Sequence, residues 1–412
     1  MPATSSAQPS PPSRARSPHP ATVVVAAGIC AALHVGKLPP AIPVLQAQLG
    51  VTLVQAGFLL STVQVAGMLL GLAVGLSADR VGLRRSMVCG LLLLAMASAL
   101  GASATTVGWL LGLRAVEGLG FLLVVMPGPS LIRRSVPPYE LGKRMGWWGS
   151  YMPLGSALGL LLGPWVLQAL GWPRWWLMAA ALSVLAALAV WRWVPADAPV
   201  AAAPSADSSW RARLALTLRS AGPWLVAGSF AVYSAQWMGV VGFLPAMYGE
   251  AGLSAQVAGT LTALVAAANM LGNVASGQLL ARGFMVRQCL QIGFIGMGLC
   301  ALLAFGQWGS AGLPLALRFA AVFGFSAVGG LIPATLFTCA VHLAPSTQTV
   351  STTVGFMQQL SCIGQFVGPP LVAALATAVG GWQWTWSLTG SLCVIGLVLA
   401  GLVQLQWRRL QS

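Results

Sequence analysis

Long apolar runs fill most of this chain, and polar residues gather in short clusters between them. The runs fall at 22–44, 52–76, 86–104, 106–132, 142–168 and 174–194, and again at 222–247, 254–281, 288–307, 312–340, 348–379 and 383–405. A helix that crosses a bilayer takes about 20 predominantly apolar residues, so each run is read as one span. The pattern predicts an all-α membrane protein with twelve transmembrane helices. The longest internal polar stretch, 195–221, carries Asp197, Arg211, Arg213 and Arg219 and separates six spans from six. The expected organisation is a disordered cytoplasmic tail at 1–21, rich in Pro, Ser and Ala, and a six-helix bundle at 22–194. A cytoplasmic linker at 195–221, a second six-helix bundle at 222–405 and a short tail at 406–412 follow. The first apolar run continues as a full span, so it reads as a helix that stays attached rather than a cleaved signal peptide.

Composition supports lipid as the solvent. Only 7 % of the 412 residues are charged, while 57 % are hydrophobic; soluble domains carry about 25 % charged residues. The net charge of +15 would suggest a nucleic-acid partner, but the basic residues stand singly or in pairs between apolar runs, with no soluble basic domain. They follow the positive-inside rule instead. With the amino terminus inside, seventeen Lys and Arg fall in inside segments and Arg174 alone in an outside loop. Both termini are therefore expected on the cytoplasmic side, in a bacterial inner membrane. The remaining three, Lys37, Arg114 and Arg318, fall within apolar runs.

The two halves repeat each other. Leu113-Arg114 before Gly120 matches Leu317-Arg318 before Gly324, and Pro129 matches Pro333, all 204 positions apart. Gly159, Gly163 and Pro164 match Gly364, Gly368 and Pro369 at 205. A Gly-Trp pair follows in each half, Gly171-Trp172 and Gly381-Trp382. Such internal symmetry is typical of transporter folds.

Between the second and third runs stands Gly75-Leu76-Ser77-Ala78-Asp79-Arg80-Val81-Gly82-Leu83-Arg84-Arg85. The fourth run holds Arg114, Gly118 and Gly120 in an R-x-x-x-G-x-G arrangement. These motifs, over residues 22–405, resemble those of the major facilitator superfamily. In the second half Ala281 replaces the loop Asp, and Trp165 and Val166 stand where an antiporter-type fifth helix would continue its glycines. The resemblance implies a secondary transporter with two pseudo-symmetric bundles, alternating access, and a central site lined mainly by helices 1, 4, 7 and 10. Within the family the likeness runs loosely toward cyanate or nitroimidazole-type facilitators or small organic-anion carriers. A drug or metabolite exporter working by proton antiport is the alternative.

The residues themselves suggest the chemistry. Asp79 lies beside Arg80, Arg84 and Arg85, where a carboxylate can pair with basic groups or a helix end and latch one conformation. An ionised side chain at mid-bilayer costs about 2.5–3.5 kcal/mol on insertion scales, so charged residues inside spans need a partner or a cavity. Arg114 and Glu117 are three apart and share a helix face. Glu117 is the only carboxylate in the middle of a predicted span and is the candidate proton carrier. Lys37, Arg114 and Arg318 together outnumber it, which points to an anionic solute that completes their charge. Asn269, Tyr233 and Gln236 are further candidates for the solute site; Asn273, Gln64, Tyr151, Gln358, Gln359 and Gln365 add polar groups inside spans. His34 is read as a packing residue. Gly67, Gly71 and Gly75 form a helix-contact stripe. No H-E-x-x-H, P-loop or Cys/His cluster appears, so the chain is expected to be no enzyme and to need no metal or cofactor. The expected partners are a small solute and the lipid bilayer, with the chain acting as a monomer.

Overall fold

The computed structural model describes residues 18–197, 207–308 and 311–409, and within them every side chain except those of 74–81, 138, 141–143, 145–146, 207–210, 308, 311 and 347. Among these residues twelve helices are long and apolar enough to cross a membrane. In the first half they are α1 (Pro20–Leu49), α2 (Leu53–Ala73), α3 (Leu83–Gly101), α4 (Val107–Ser135), α5 (Tyr151–Leu170) and α6 (Trp172–Trp193). In the second half they are α7 (Ala221–Glu250), α8 (Ala255–Ala281), α9 (Val286–Phe305), α10 (Leu315–His342), α11 (Val350–Val379) and α12 (Thr385–Arg409). The only strands described, β1 (Gln307–Trp308) and β2 (Ala311–Gly312), form a small antiparallel hairpin between α9 and α10.

Several spans are interrupted, and the sequence explains where. The regular part of α1 ends at Gly36; Pro39–Ala41 is a 3-10 turn, and the helix resumes at Ile42. Pro39 and Pro40 lack the N–H that a continuous helix would need. In α2 the turn Thr62–Gln64 is likewise 3-10. The α4 and α10 spans break at corresponding places, after Val125 and after Gly329.

The halves meet along α2 with α11 and α5 with α8. A Cβ at Gly57 would lie 2.9 Å from the Cα of Pro370, and one at Gly259 would lie 2.6 Å from the carbonyl oxygen of Leu160. Only glycine permits these approaches. Both contacts lie toward the far face, opposite the chain termini: α2 and α8 begin there, while α11 and α5 end there. Nearer the terminal face α2 and α11 remain joined, with Gln359 Nε2 donating to the Met68 carbonyl at 2.7 Å.

The helix boundaries differ from expectation in four places. The first helix starts at Pro20, inside the predicted tail 1–21; the rest of that tail, 1–17, lies outside the described residues. The predicted fifth run, 142–168, is two elements, a helix at Pro138–Gly149 and the span α5. The linker 195–221 contains a helix at Asp207–Arg219, a polar segment invisible to a search for apolar runs. The last helix reaches Arg409, into the predicted tail 406–412.

Candidate functional site

The break in α1 exposes the groups around which the first-half site is built. Lys37 follows the last regular turn, and its carbonyl accepts the indole N–H of Trp175 at 3.1 Å. The His34 carbonyl accepts Arg114 Nη1 at 2.9 Å, and Arg114 Nε reaches the Leu59 carbonyl in α2 at 3.2 Å. Arg114 thus braces backbone carbonyls of two interrupted helices.

Glu117 joins two cations. Its Oε1 lies 2.5 Å from Lys37 Nζ and its Oε2 lies 2.5 Å from Arg114 Nη1. All three side chains are at most 1 % exposed. Lys37 also donates to Ser98 Oγ at 2.7 Å, contacts His34 Nδ1 at 3.2 Å, and lies 4.8 Å from the centre of the Trp176 ring. An ammonium only donates, so Nδ1 of His34 accepts. Its Nε2 then carries the hydrogen and donates to Ser183 Oγ at 2.8 Å, whose hydroxyl in turn donates to the Ala179 carbonyl at 3.0 Å. His34 is therefore more than packing: it connects the ion cluster to α6. Two cations on one carboxylate leave one positive charge unbalanced, and Nη2 of Arg114 is buried without an acceptor.

Among the described residues the second half has no such cluster. Ala321 stands 204 positions after Glu117. Where His34 and Ser183 tie α1 to α6, Gln236 and Cys393 tie α7 to α12, with Sγ 3.1 Å from Oε1. Gln236 therefore faces α12 inside its own bundle. Tyr233 and Asn269 are also committed to each other: Asn269 Nδ2 donates to the Tyr233 hydroxyl at 2.8 Å and to the Ser326 carbonyl at 3.0 Å. Asn273 caps the set by donating to Asn269 Oδ1 at 3.0 Å.

Arg318 lies apart from these groups. Although it repeats Arg114 in sequence, α10 starts at Leu315 after the β-hairpin, so Arg318 sits in the first helical turn at the far face, half-buried beside Gly312. Among the described residues it makes no ion pair with the Glu117 carboxylate. An offset in sequence does not fix depth when the preceding loop differs.

Between the halves lies an apolar patch. Val35, Val63 and Met238 are buried together, with Phe121, Met152 and Trp237 packed on them. These residues come from α1, α2, α7, α4 and α5. Trp237 is oriented by its indole N–H on Ser326 Oγ at 3.0 Å. Phe121 is one turn beyond Glu117 on α4, so the ion cluster and this patch are neighbours along that helix. A polar chain beside it crosses the halves: Gln64 Nε2 donates to Gln365 Oε1 at 3.0 Å, Gln365 reaches Ser361, and Ser361 reaches Ser234.

At the terminal face, the side chains of Asp79 and Arg80 lie outside those described. Arg84 is described, and its guanidinium donates to the Trp191 carbonyl and stacks on that ring at 4.5 Å. Its backbone N–H and that of Arg85 donate to the carboxylate of Asp197 at 3.0 and 3.1 Å. Asp197 thus caps α3, whose own preceding residue, Gly82, supplies no side chain for the purpose. In sequence Asp197 stands in the linker, and the one signal for its role is a helix start after Gly82 that lacks a capping side chain.

Comparison with known proteins agrees with this architecture. The family model of the Major Facilitator Superfamily matches residues 24–369 and 226–406. The cyanate transport protein CynX of Escherichia coli (strain K12) is 26 % identical over 326 residues, 78 % of this chain and 80 % of that protein. The 2-nitroimidazole transporter of the same organism is 26 % identical over 365 residues, 84 % of each. Among solved structures, a bacterial homologue of the human lysosomal transporter Spinster, in an inward-facing and occupied conformation, superposes with a TM-score of 0.78 at 14 % identity, covering 95 % of this chain and 97 % of that one.

Proposed function

Because the chain belongs to the Major Facilitator Superfamily and transports a small solute across a membrane, we propose that its solute is a compact anion, moved together with a proton by alternating access. The observation that carries this reading is the Lys37–Glu117–Arg114 cluster, two cations sharing one carboxylate. A buried unbalanced charge is costly in a low-dielectric interior. An anion at the interface between Val35, Phe121 and Trp237 lowers that cost by supplying the missing countercharge. Protonation of Glu117 removes the internal countercharge and strengthens the pull on an external one, so the proton and the anion favour each other's binding. One proton with one monovalent anion leaves the charge of the site unchanged.

In this reading Lys37 and Arg114 act through the field behind the apolar patch rather than by touching the solute in the conformation described. The far face is the outside, both termini are cytoplasmic, and the conformation is closed at the far face. The chain works as a monomer in a bacterial inner membrane. The names of the two relatives that match along most of the chain, for cyanate and 2-nitroimidazole, fit a small flat solute.

The test is uptake into proteoliposomes of radiolabelled cyanate and formate, with and without an inward proton gradient. Gradient-stimulated uptake of either anion supports the reading. A second reading, export of an apolar drug by proton antiport, is favoured by the patch of Phe121, Met152, Trp237 and Met238. Transport of lipophilic cations with no response to small anions would replace the first reading by the second.

A further inference from the structure

A second cationic site lies away from the central interface. At the far face, Phe305, Gln307, Gly312, Arg318, Trp382 and Gln383 line a cavity of about 230 Å³. Its charge is Arg318. Among the described residues no carboxylate pairs with this guanidinium, and its Nε is buried without a hydrogen-bond partner. The carboxylate of Glu250 accepts the indole N–H of Trp382 at 2.7 Å, at the wall of this cavity, and forms no ion pair with Arg318. Arg318 lies close over Gly312, where a Cβ would fall 1.6 Å from Nη2; the hairpin glycine makes room for the guanidinium.

A guanidinium whose buried Nε has no partner, beside the amide of Gln307, matches a planar or tetrahedral oxyanion. The Gln383 amide donates to the Val379 carbonyl at 3.3 Å and the Trp382 indole to Glu250, so these two serve as walls. The cavity is smaller than the roughly 300–1,000 Å³ typical of pockets for drug-sized ligands. We propose that it is an anion site that takes a carboxylate or phosphate group at the far face. The proposal stands independently of the reading given for Glu117, since no residue is shared. Trp382 forms one wall and also packs on Phe243 of α7, with ring centres 5.3 Å apart. An occupant therefore touches a residue packed on α7.

Two sources have the same chemistry, a free anion and the phosphate of a lipid headgroup. The first arm of the test measures thermal unfolding of the detergent-purified protein in inorganic phosphate or acetate against HEPES of matched ionic strength. The second arm measures it in nanodiscs of phosphatidylcholine with and without phosphatidylglycerol, without added phosphate. Binding should raise the wild-type midpoint by about 1–3 °C in the first arm for a free anion, or in the second for a headgroup. Arg318→Gln should abolish the rise, and Arg318→Lys should keep part of it. Gly312→Ala retains every charge while moving a flexible side-chain end, and it should weaken the response. No rise in either arm, a full rise in Arg318→Gln, or an undiminished rise in Gly312→Ala would each overturn the proposal.

Discussion

Lys37 and Glu117, eighty positions apart in the chain, meet at 2.5 Å in the interior of the first bundle, and Arg114 holds the other oxygen of the same carboxylate at 2.5 Å. Breaking such a set from one side leaves charge behind. Glu117→Ala should lower stability by about 3–5 kcal/mol, read as a reduced unfolding midpoint in detergent. Adding Lys37→Met should recover part of the loss, because it removes one stranded cation. A double variant no more stable than Glu117→Ala would mean that the pair is not what links these residues.

The same carboxylate governs coupling under the proposed function. Wild-type anion uptake should rise as the pH on the solute side falls, because protonation of Glu117 frees the two cations for the anion. Glu117→Gln, which mimics the protonated form, should give a flat profile in proteoliposomes. A profile in that variant as steep as the wild type's places the coupling proton on another group.

Trp237 and Gln236 are neighbours in sequence with opposite expected roles. Trp237 joins the patch between the halves, and Gln236 faces Cys393 in α12. Trp237→Ala should raise the apparent KM about tenfold, equivalent to about 1.4 kcal/mol. Gln236→Leu should leave KM within twofold. The reverse order would put the solute on the α12 side of α7.

Closure at the far face depends on the approach of Gly57 to Pro370. Gly57→Val should hold the halves apart there and abolish transport while the protein still inserts and purifies as a monodisperse species. Labelling of a cysteine introduced at Gln256 by an impermeant thiol reagent should increase in the same variant. Wild-type transport by Gly57→Val would show that this contact is not remade in each cycle.

Asp197 accepts the backbone N–H groups of Arg84 and Arg85. Asp197→Ala should cost about 1 kcal/mol, the typical worth of a helix N-cap, while Asp197→Asn should keep most of it. Equal unfolding midpoints for wild type and Asp197→Ala would contradict the capping role.

Hydrophobic pattern alone determined that twelve helices cross a bilayer in two similar sets, because backbone groups in hydrocarbon must be satisfied within each segment and the length of a span is fixed by the thickness of the membrane. The pairing of Arg114 with Glu117 was also legible, since helical geometry places residues three apart on one face. What the chain could not reveal without its tertiary structure is which distant side chain completes each charge. Lys37, Ser98 and Ser183 come from separate helices, and only packing brings Lys37 to the carboxylate, Ser98 to Lys37 and Ser183 to His34. Depth was equally hidden: the hairpin before α10 moves Arg318 out of the interior although its position in the repeat equals that of Arg114. Asp197 shows the same limit at the surface, where a residue in an apparent linker becomes the cap of a helix more than a hundred positions earlier.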